Sequence, residues 1–563
     1  MLKTCLFSAM LLVTFLATML ATSALPTDNP TKIYGLAWTD EIMWEKGISI
    51  ADVIGANDDE RVAAAIAKLG AEGGVIFFPA GVYNFKETIK IPSGIVLRGD
   101  APAYGGNNLG GIDATNGEYN LSTHFDFPQY KPTFVGDGTP NNTAFKGIEL
   151  ADPIGGTNCG VVSIDINHGH IELGTSANFG KNYTAGTLGK NIIVFGNILR
   201  NAAVLDTSIP MKVSPSTKSP FQEGWQRWTQ RHHAAIHVYS GANILVGNNR
   251  IPESGDDNFV MKGYKLYQRT LEGTGIKDPK LKMLSADITF DYDNRPGVVV
   301  NAMGTNKDFD VWNPYTTKDG VTPEPAAGSM CRGIVIRNNY IFNTGCYGMN
   351  VTGDGAYIAF NKIYIKPNVV RPTARGYQFD YFTNNNRAIE LRGFRWIVEG
   401  NYYEVYSNVV ADVNDVTKGT NERYGDGEGI MHESINNCEV RDSALINNTG
   451  NGYLCIWRVP VRGLEIRGNI VPNIVILART NVAGGNVGMP VSNLKITGNT
   501  TYEVGKMSLL PSFFGRGIVI TGGAGEGNIV TDNKTSSVGG ILTLNLTSPI
   551  EARNNDSFNI VKK

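Results

Sequence analysis

From Gly74 to Asp100 the hydrophobic positions come in very short runs broken by turn residues. Val75–Phe78 stops at Pro79, Gly81 turns the chain, and Val82, Phe85, Ile89 and Ile91 follow. The turn Pro92–Gly94 then leads into Ile95–Leu97 and Gly99. Runs of this length bounded by Gly and Pro predict strands. No stretch between them has room for a crossover helix, and no Asn-Gly pair signals a hairpin. Short strands joined by bends therefore predict a coil that climbs as a parallel β-helix. Just upstream, Asn57-Asp58-Asp59-Glu60 predicts a helix start, with Val62, Ala65, Ile66 and Leu69 on one face. Such a helix would cover the open first rung, otherwise a bare apolar end.

Ala101–Asn191 is irregular and predicts the second and third coils with long loops. A repeat begins at Asn191. Short apolar strands end in an asparagine at Asn197, Asn249, Asn339, Asn361, Asn401, Asn469, Asn499 and Asn533, and CEVRDSAL puts Asp442 in the same slot. Asparagines stacked at one turn would hydrogen-bond from rung to rung, so these positions predict scaffold, not chemistry. Asn339 to Asn361 is a minimal coil. Longer gaps predict insertions at Gly263–Arg332, Tyr364–Arg387 and Asn408–Gly427, which must stand outside the coil. Together they would enclose a groove for a polymer, lined by residues such as Trp312, Tyr315, Arg371, Arg375, Tyr377 and Tyr381.

The strands beside that groove overlay as AIHVY (235–239), NFVMK (258–262), GMNVT (348–352), AIELR (388–392), GIMHE (429–433) and YLCIW (453–457). Alternate residues face opposite ways. One outward column then holds His237, Val260, Asn350, Glu390, Met431 and Cys455. The next holds Tyr239, Lys262, Thr352, Arg392, Glu433 and Trp457. His432 is discordant, since the overlay points it inward, which suggests that its coil is shifted by one. An ion pair on a solvated sheet would also explain Arg392 beside Glu433. An outward Trp457 suits sugar stacking.

Composition narrows the class. Met1–Ala24 has Lys3, an apolar run through Leu20 and Thr22-Ser23-Ala24, which predicts a cleaved secretory signal and a secreted or periplasmic protein. No other apolar stretch reaches membrane length. A net charge of −2 with 18% charged residues gives no basic field for nucleic acid. After the signal, Cys159, Cys331, Cys346, Cys438 and Cys455 form no CxxC pair, so neither zinc nor a disulfide framework is expected, although Cys438 and Cys455 would suit stacked thiols.

The helix, Gly73-Gly74, IFFPAGVYNF and the closing IVLRGD resemble the opening coil of the pectate-lyase-like superfamily over about Ala51–Asp100. The resemblance implies an all-β, single-stranded right-handed parallel β-helix over residues 25–563, with an N-terminal cap at about 50–100. It also implies a carbohydrate substrate, but not the reaction, because this fold hosts lyases, hydrolases, epimerases and non-catalytic spikes. Gly255-Asp256-Asp257 before Lys262 also resembles the Gly-Asp-Asp segment of polygalacturonase-type hydrolases. That family's third Asp is replaced here by Ala234, beside His232, His233 and His237, and its Gly-His-Gly is missing. A capped turn explains Asp256-Asp257 equally well.

Two reactions and a binding role follow. A uronate lyase needs a base and a cation for the charge that builds at the carboxylate. Lys262 as base, Arg392 as carboxylate clamp and a Ca²⁺ site from Asp256/Asp257 or Glu390/Glu433 would fill those roles, with His237 alongside. A hydrolase would use Glu390 and Glu433 as its carboxyl pair. A non-catalytic β-helix would need only the sugar contacts, for which Trp457, Tyr239 and Asn350 are placed. The expectation is a monomeric, secreted polysaccharide-cleaving enzyme, lyase before hydrolase, with no nucleic-acid or membrane partner.

Overall fold

The computed structural model describes residues 25–100, 120–128, 133–134, 140–141, 146–151, 156–173, 189–200, 235–238, 242–251, 259–261, 288–290, 298–300, 332–343, 347–365, 387–409, 420–424, 428–433, 439–482, 485–502, 517–535, 541–544, 549–556 and 561–562. Three ladders of parallel strands run its length. The first begins Gly47–Ser49, Gly74–Phe78, Ile95–Gly99, Thr157–Val162 and continues to Ile550–Arg553. The second begins Ile89–Ile91, Gly147–Leu150, His170–Leu173, Ile236–Val238 and ends at Val561–Lys562. The third starts at Gly81–Asn84 and Thr123–Asp126 and reaches Lys534–Thr535. Each coil visits first, third and second ladder in turn, so the parallel β-helix expected from the short runs is the observed architecture. Inward side chains of all three ladders merge into one core, from Ile76 and Leu97 to Ile520 and Val530.

The corner between first and third ladder is two residues wide in coil after coil, and it explains the asparagine repeat. Its first residue is left-handed, as at Gly196, Asn248, Asn338, Gly400, Gly468 and Asp532. Its second is a buried asparagine. Asn361 shows the bonding. Its Nδ2 donates to Asn401 Oδ1 at 2.8 Å and to the Ile336 carbonyl at 3.1 Å. Its Oδ1 accepts from Asn339 N and Nδ2, both at 2.9 Å. The stack runs from Asn197 to Asn555. Asp442 is not in it. Asn448 takes that slot, bonded to Asn401 and Asn469 at 3.0 Å, while Asp442 is exposed on a left-handed turn two residues into the preceding strand. A carboxylate there could not donate to the next rung, so the stack requires an amide.

Helix α1, Asp58–Leu69, is capped by Asn57, whose side chain accepts from Glu60 N at 2.9 Å. Val62, Ala65 and Leu69 are buried against Ile50, Ile76 and Ile91 and close the first coil, as predicted. Gly73 and Gly74 have φ of 72° and 141°, and a Cβ on Gly73 would lie 2.4 Å from the Gly94 carbonyl, so the pair admits the next coil. A feature without sequence warning precedes α1. Ile42 and Trp44, with Ile33, Tyr34, Leu36 and Trp38, lie over Val75, Val96, Val162, Ile193, Phe195 and Leu245, the outward side chains of the first ladder. This strap is anchored by Tyr34 OH donating to Asn248 Oδ1 at 2.8 Å and by the buried Arg98, whose Nη2 lies 2.8 Å from Asp28 Oδ1.

Small antiparallel pairs also occur, Phe259–Met261 with Ile288–Phe290 and Arg479–Val482 with Gly485–Gly488. No helix among the described residues is long and apolar enough to cross a membrane. Residues 1–24, including the expected signal, lie outside the described residues.

Candidate functional site

The connections decide which face is the groove. Between first and third ladder the connections are about two residues long, except for residues 100–122. Between third and second lie residues 201–235, 252–297, 366–386 and 503–517. Between second and first lie 174–189, 301–331 and 478–490. The second ladder is therefore the one with several long connections at each edge, and its outward face is the floor.

Register gives the floor's central column rung by rung: Lys90, Glu149, Glu172, His237, Val299, Asn350, Glu390, Met431, Cys455, Val475, Val519. The overlay's placing of His237, Asn350, Glu390, Met431 and Cys455 in one column holds. Its second rung does not. The strand after Ile236–Val238 is Val298–Val300, whereas Phe259–Met261 pairs antiparallel away from the ladder. Lys262 lies outside the described residues, as do Tyr239, Asp256 and Asp257. The insertion expected at Gly263–Arg332 accordingly contains a rung and divides in two around it. VMK and VVV carry the same short apolar signal, so sequence could not choose between them.

His432 points inward, with the overlay's pairing kept from Ile430 onward and a register shift only between Glu428 and Ile430. It pairs with Leu391 and Ile456, is fully buried, and stacks on Trp396 with centroids 5.9 Å apart and planes at 29°. An aromatic neighbour inside the core accommodates the ring. Glu433 pairs with Trp457 in register, so the adjacent column runs Thr352, Arg392, Glu433, Trp457 as expected. Trp457 is half-buried, with the Arg458 guanidinium 4.7 Å from its ring centroid, so its face is partly taken.

Glu390 is the centre of the middle floor and is completely buried. Arg387 Nη1 lies 2.5 Å from its Oε2, Arg392 Nη2 is bonded to its Oε1, and Asn350 Nδ2 donates to Oε1 at 3.5 Å. Two arginines share this one carboxylate. That corrects two expectations. Glu390 is a structural counter-ion rather than a reachable acid or base, and two cations on its oxygens make it unsuited to a Ca²⁺ ion. Arg392, a fifth exposed, is the member that reaches solvent. Among the described residues no three His, Cys, Asp or Glu side chains gather as a metal site.

At the floor's beginning stands a second polar group that the overlay missed, because it started at Ala235. Glu149 meets Lys90 through Oε2 and His170 Nε2 at 3.2 Å through Oε1. Burial pushes its carboxyl up, but the hydrogen bonds and charges of His170 and Lys90 outweigh that and bring it down to about 2. Glu172 follows on the next rung and His237 on the one after. The visible signal was the outward position of KGIEL (146–150) and HIEL (170–173).

No protein-family model matches the chain, and no curated protein matches it. Among solved structures it is similar to the surface adhesin PfbA of Streptococcus pneumoniae, at 12% identity and a TM-score of 0.36, covering 92% of this chain and 99% of that one. It is also similar to the A-module of the mannuronan C-5 epimerase AlgE4 of Azotobacter vinelandii, at 8% identity and a TM-score of 0.38, with 92% and 99% covered. A third is DFA-IIIase from Arthrobacter chlorophenolicus A6 in complex with GF2, at 12% and 0.31, with 89% and 93% covered. The fold assignment stands on the strand pairings themselves.

Beyond Met431 the floor changes character. Met431, Tyr453, Cys455, Val475, Leu477 and Val519 form an outward apolar cluster, all buried, with Trp457 packed against it. Cys455 and Cys159 are buried, and burial pushes the Cys159 thiol up to about 12. Cys438, the expected stacking partner of Cys455, lies outside the described residues. The polar chemistry of the floor is therefore concentrated between Lys90 and Arg392.

Proposed function

We propose that this protein is a secreted enzyme that cleaves an acidic, uronate-containing polysaccharide laid along the outward face of the second ladder. The observation that carries it is a row of polar and charged residues from Lys90 to Glu390, interrupted at Val299, on the ladder with several long connections at each edge. An extended polymer matches a floor whose groups repeat every 4.8 Å or so. Arg392 reaches solvent there, and a guanidinium is suited to grip a carboxylate in two-pronged fashion.

β-Elimination is the finer reading that the sequence favours. Arg392 would supply the cation beside the uronate carboxylate. Asp256 and Asp257 would be the place for Ca²⁺ if the reaction uses it. The rival pair for hydrolysis, Glu390 and Glu433, has lost its first member to the two arginines.

The test is a panel of acidic and neutral polysaccharides incubated with the purified chain, with and without Ca²⁺. Absorbance of an unsaturated uronate reports β-elimination, and new reducing ends without it report hydrolysis. Binding without either product would make the protein a glycan-holding β-helix and overturn the enzyme reading. Cleavage confined to neutral glycans would overturn the acidic substrate.

A further inference from the structure

We infer that the outward face of the third ladder is a second, non-catalytic binding strip for an acidic polysaccharide, built on Tyr340, Tyr364 and Tyr402 with Arg250 and Lys362 set among them. The acidic character of the ligand rests on the reading proposed for the floor. The strip itself lies on another ladder and uses none of the floor's residues.

Register and ring contacts together define it. Arg250, Tyr340, Lys362 and Tyr402 follow one another on successive rungs, and Phe342, Tyr364 and Glu404 run beside them. Between the two columns Ile341, Ile363 and Tyr403 belong to the core, so both columns face outward. The ring centroids of Tyr340 and Tyr364 are 5.6 Å apart, and those of Tyr364 and Tyr402 are 6.1 Å apart. Phe342 is buried and backs Tyr364 at 6.4 Å, with planes at 23°. The Arg250 guanidinium lies 4.5 Å from the Tyr340 centroid, and Tyr402 OH donates to the Glu404 carboxylate.

Ring pairs across strands also stabilise a sheet, so exposure decides the reading. On the first ladder the outward apolar residues are roofed by Ile42 and Trp44. On the third, Tyr402 stays 36% exposed, and Tyr340, Lys362 and Tyr364 are half-buried. The corners that lead into Tyr340, Lys362 and Tyr402 are two residues each, so no insertion stands on that side of the strip.

The side chains select the ligand. A tyrosine offers an apolar face to the C–H side of a sugar ring and a polar tip to its hydroxyls. Lys362 stands on the rung between Tyr340 and Tyr402, and Arg250 on the rung before Tyr340, so cations alternate with rings along the column. That alternation is complementary to a polymer whose sugars carry carboxylates. An extended chain lying along the ladder meets a new rung every 4.8 Å or so. The strip has no reaction to perform. It holds a long polymer to the molecule and so raises its effective concentration at the floor.

The experiment titrates the full chain calorimetrically with short oligogalacturonates and oligomannuronates, and with cello-oligosaccharides as the neutral control. Wild type should show two sites for an acidic oligomer. Tyr402→Ala and Lys362→Gln should each weaken one of them about tenfold. Tyr402→Phe should stay close to wild type, because its ring still stacks. Arg392→Ala should weaken the other site and spare this one. Thermal melts check folding, and if Tyr402→Ala melts early, Lys362→Gln carries the test. A single site weakened only by Arg392→Ala would overturn the strip and leave the floor reading intact. A single site weakened by Tyr402→Ala and Lys362→Gln but not by Arg392→Ala would support the strip and overturn the floor as a binding site. Equal binding of the neutral oligomer at the strip would overturn its acidic ligand. No binding of any oligomer would overturn both readings.

Discussion

Arg387 Nη1 lies 2.5 Å from Glu390 Oε2, and both side chains are closed off from solvent. Taking one charge from such a pair strands the other, at a cost of about 3–5 kcal/mol. Arg387→Ala should therefore lower the unfolding free energy by about that amount in denaturant titration. Glu390→Gln should also destabilise, and added Ca²⁺ should not restore it. Full stability in both variants would show that the trio is not an ionic unit.

Arg392 should behave differently, because it reaches solvent. Arg392→Ala should weaken binding of a polyuronate by roughly tenfold, as expected for a lost charge-assisted contact, and leave binding of a neutral glycan unchanged. Affinity electrophoresis on both glycans checks this. An equal loss on the neutral glycan would indicate a structural role.

The asparagine stack makes a stability prediction. Asn361→Leu removes the acceptor of Asn339 N and Nδ2 and the donor to Asn401 and Ile336. Each stranded buried group costs about 1–3 kcal/mol, so a total loss of roughly 2–4 kcal/mol is expected after relaxation. Asp442→Leu, outside the stack, should change stability by less than about 0.5 kcal/mol. Urea titration of the two variants separates them.

Glu149 sets a pH dependence. Against the upward push of burial, His170 and Lys90 bring its folded carboxyl down to about 2 from the ordinary 4.5, so its contribution is fully present above pH 4.5 and is lost as pH falls towards 2. That contribution is about 2 kcal/mol once exposure of the Lys90 partner is allowed for. Melting temperatures of wild type and Glu149→Gln should differ near neutral pH and converge on acidification. A difference that persists at pH 2 would remove the ionic explanation.

The strap is the last target. Trp44 is buried on the outward face of the first ladder, with its Nε1 donating to the Thr39 carbonyl at 2.8 Å. Trp44→Ala should cost about 3–5 kcal/mol and expose an apolar strip, read as dye binding and a lower melting temperature. Unchanged melting would show that the strap is dispensable.

By itself the sequence determined the coil, its capping helix, its asparagine corners and which residues of a strand face outward. These depend on local spacing, since a turn of two residues and a strand of three to five write their own periodicity. It also placed His237, Asn350, Glu390 and Arg392 on one face correctly. What lay beyond it was which strand stacks on which when a long insertion intervenes. Val298–Val300 and Phe259–Met261 are equally short and apolar, and only the closure of the coil favours one. Asp442 against Asn448 was decided likewise, by whether a side chain could both give and accept a hydrogen bond along the axis. The strap over Val75 and Leu245 and the register pairing of Glu149 with Glu172 join residues distant in sequence. Their energies arise from burial and charge between coils, and only the tertiary structure brings those coils together.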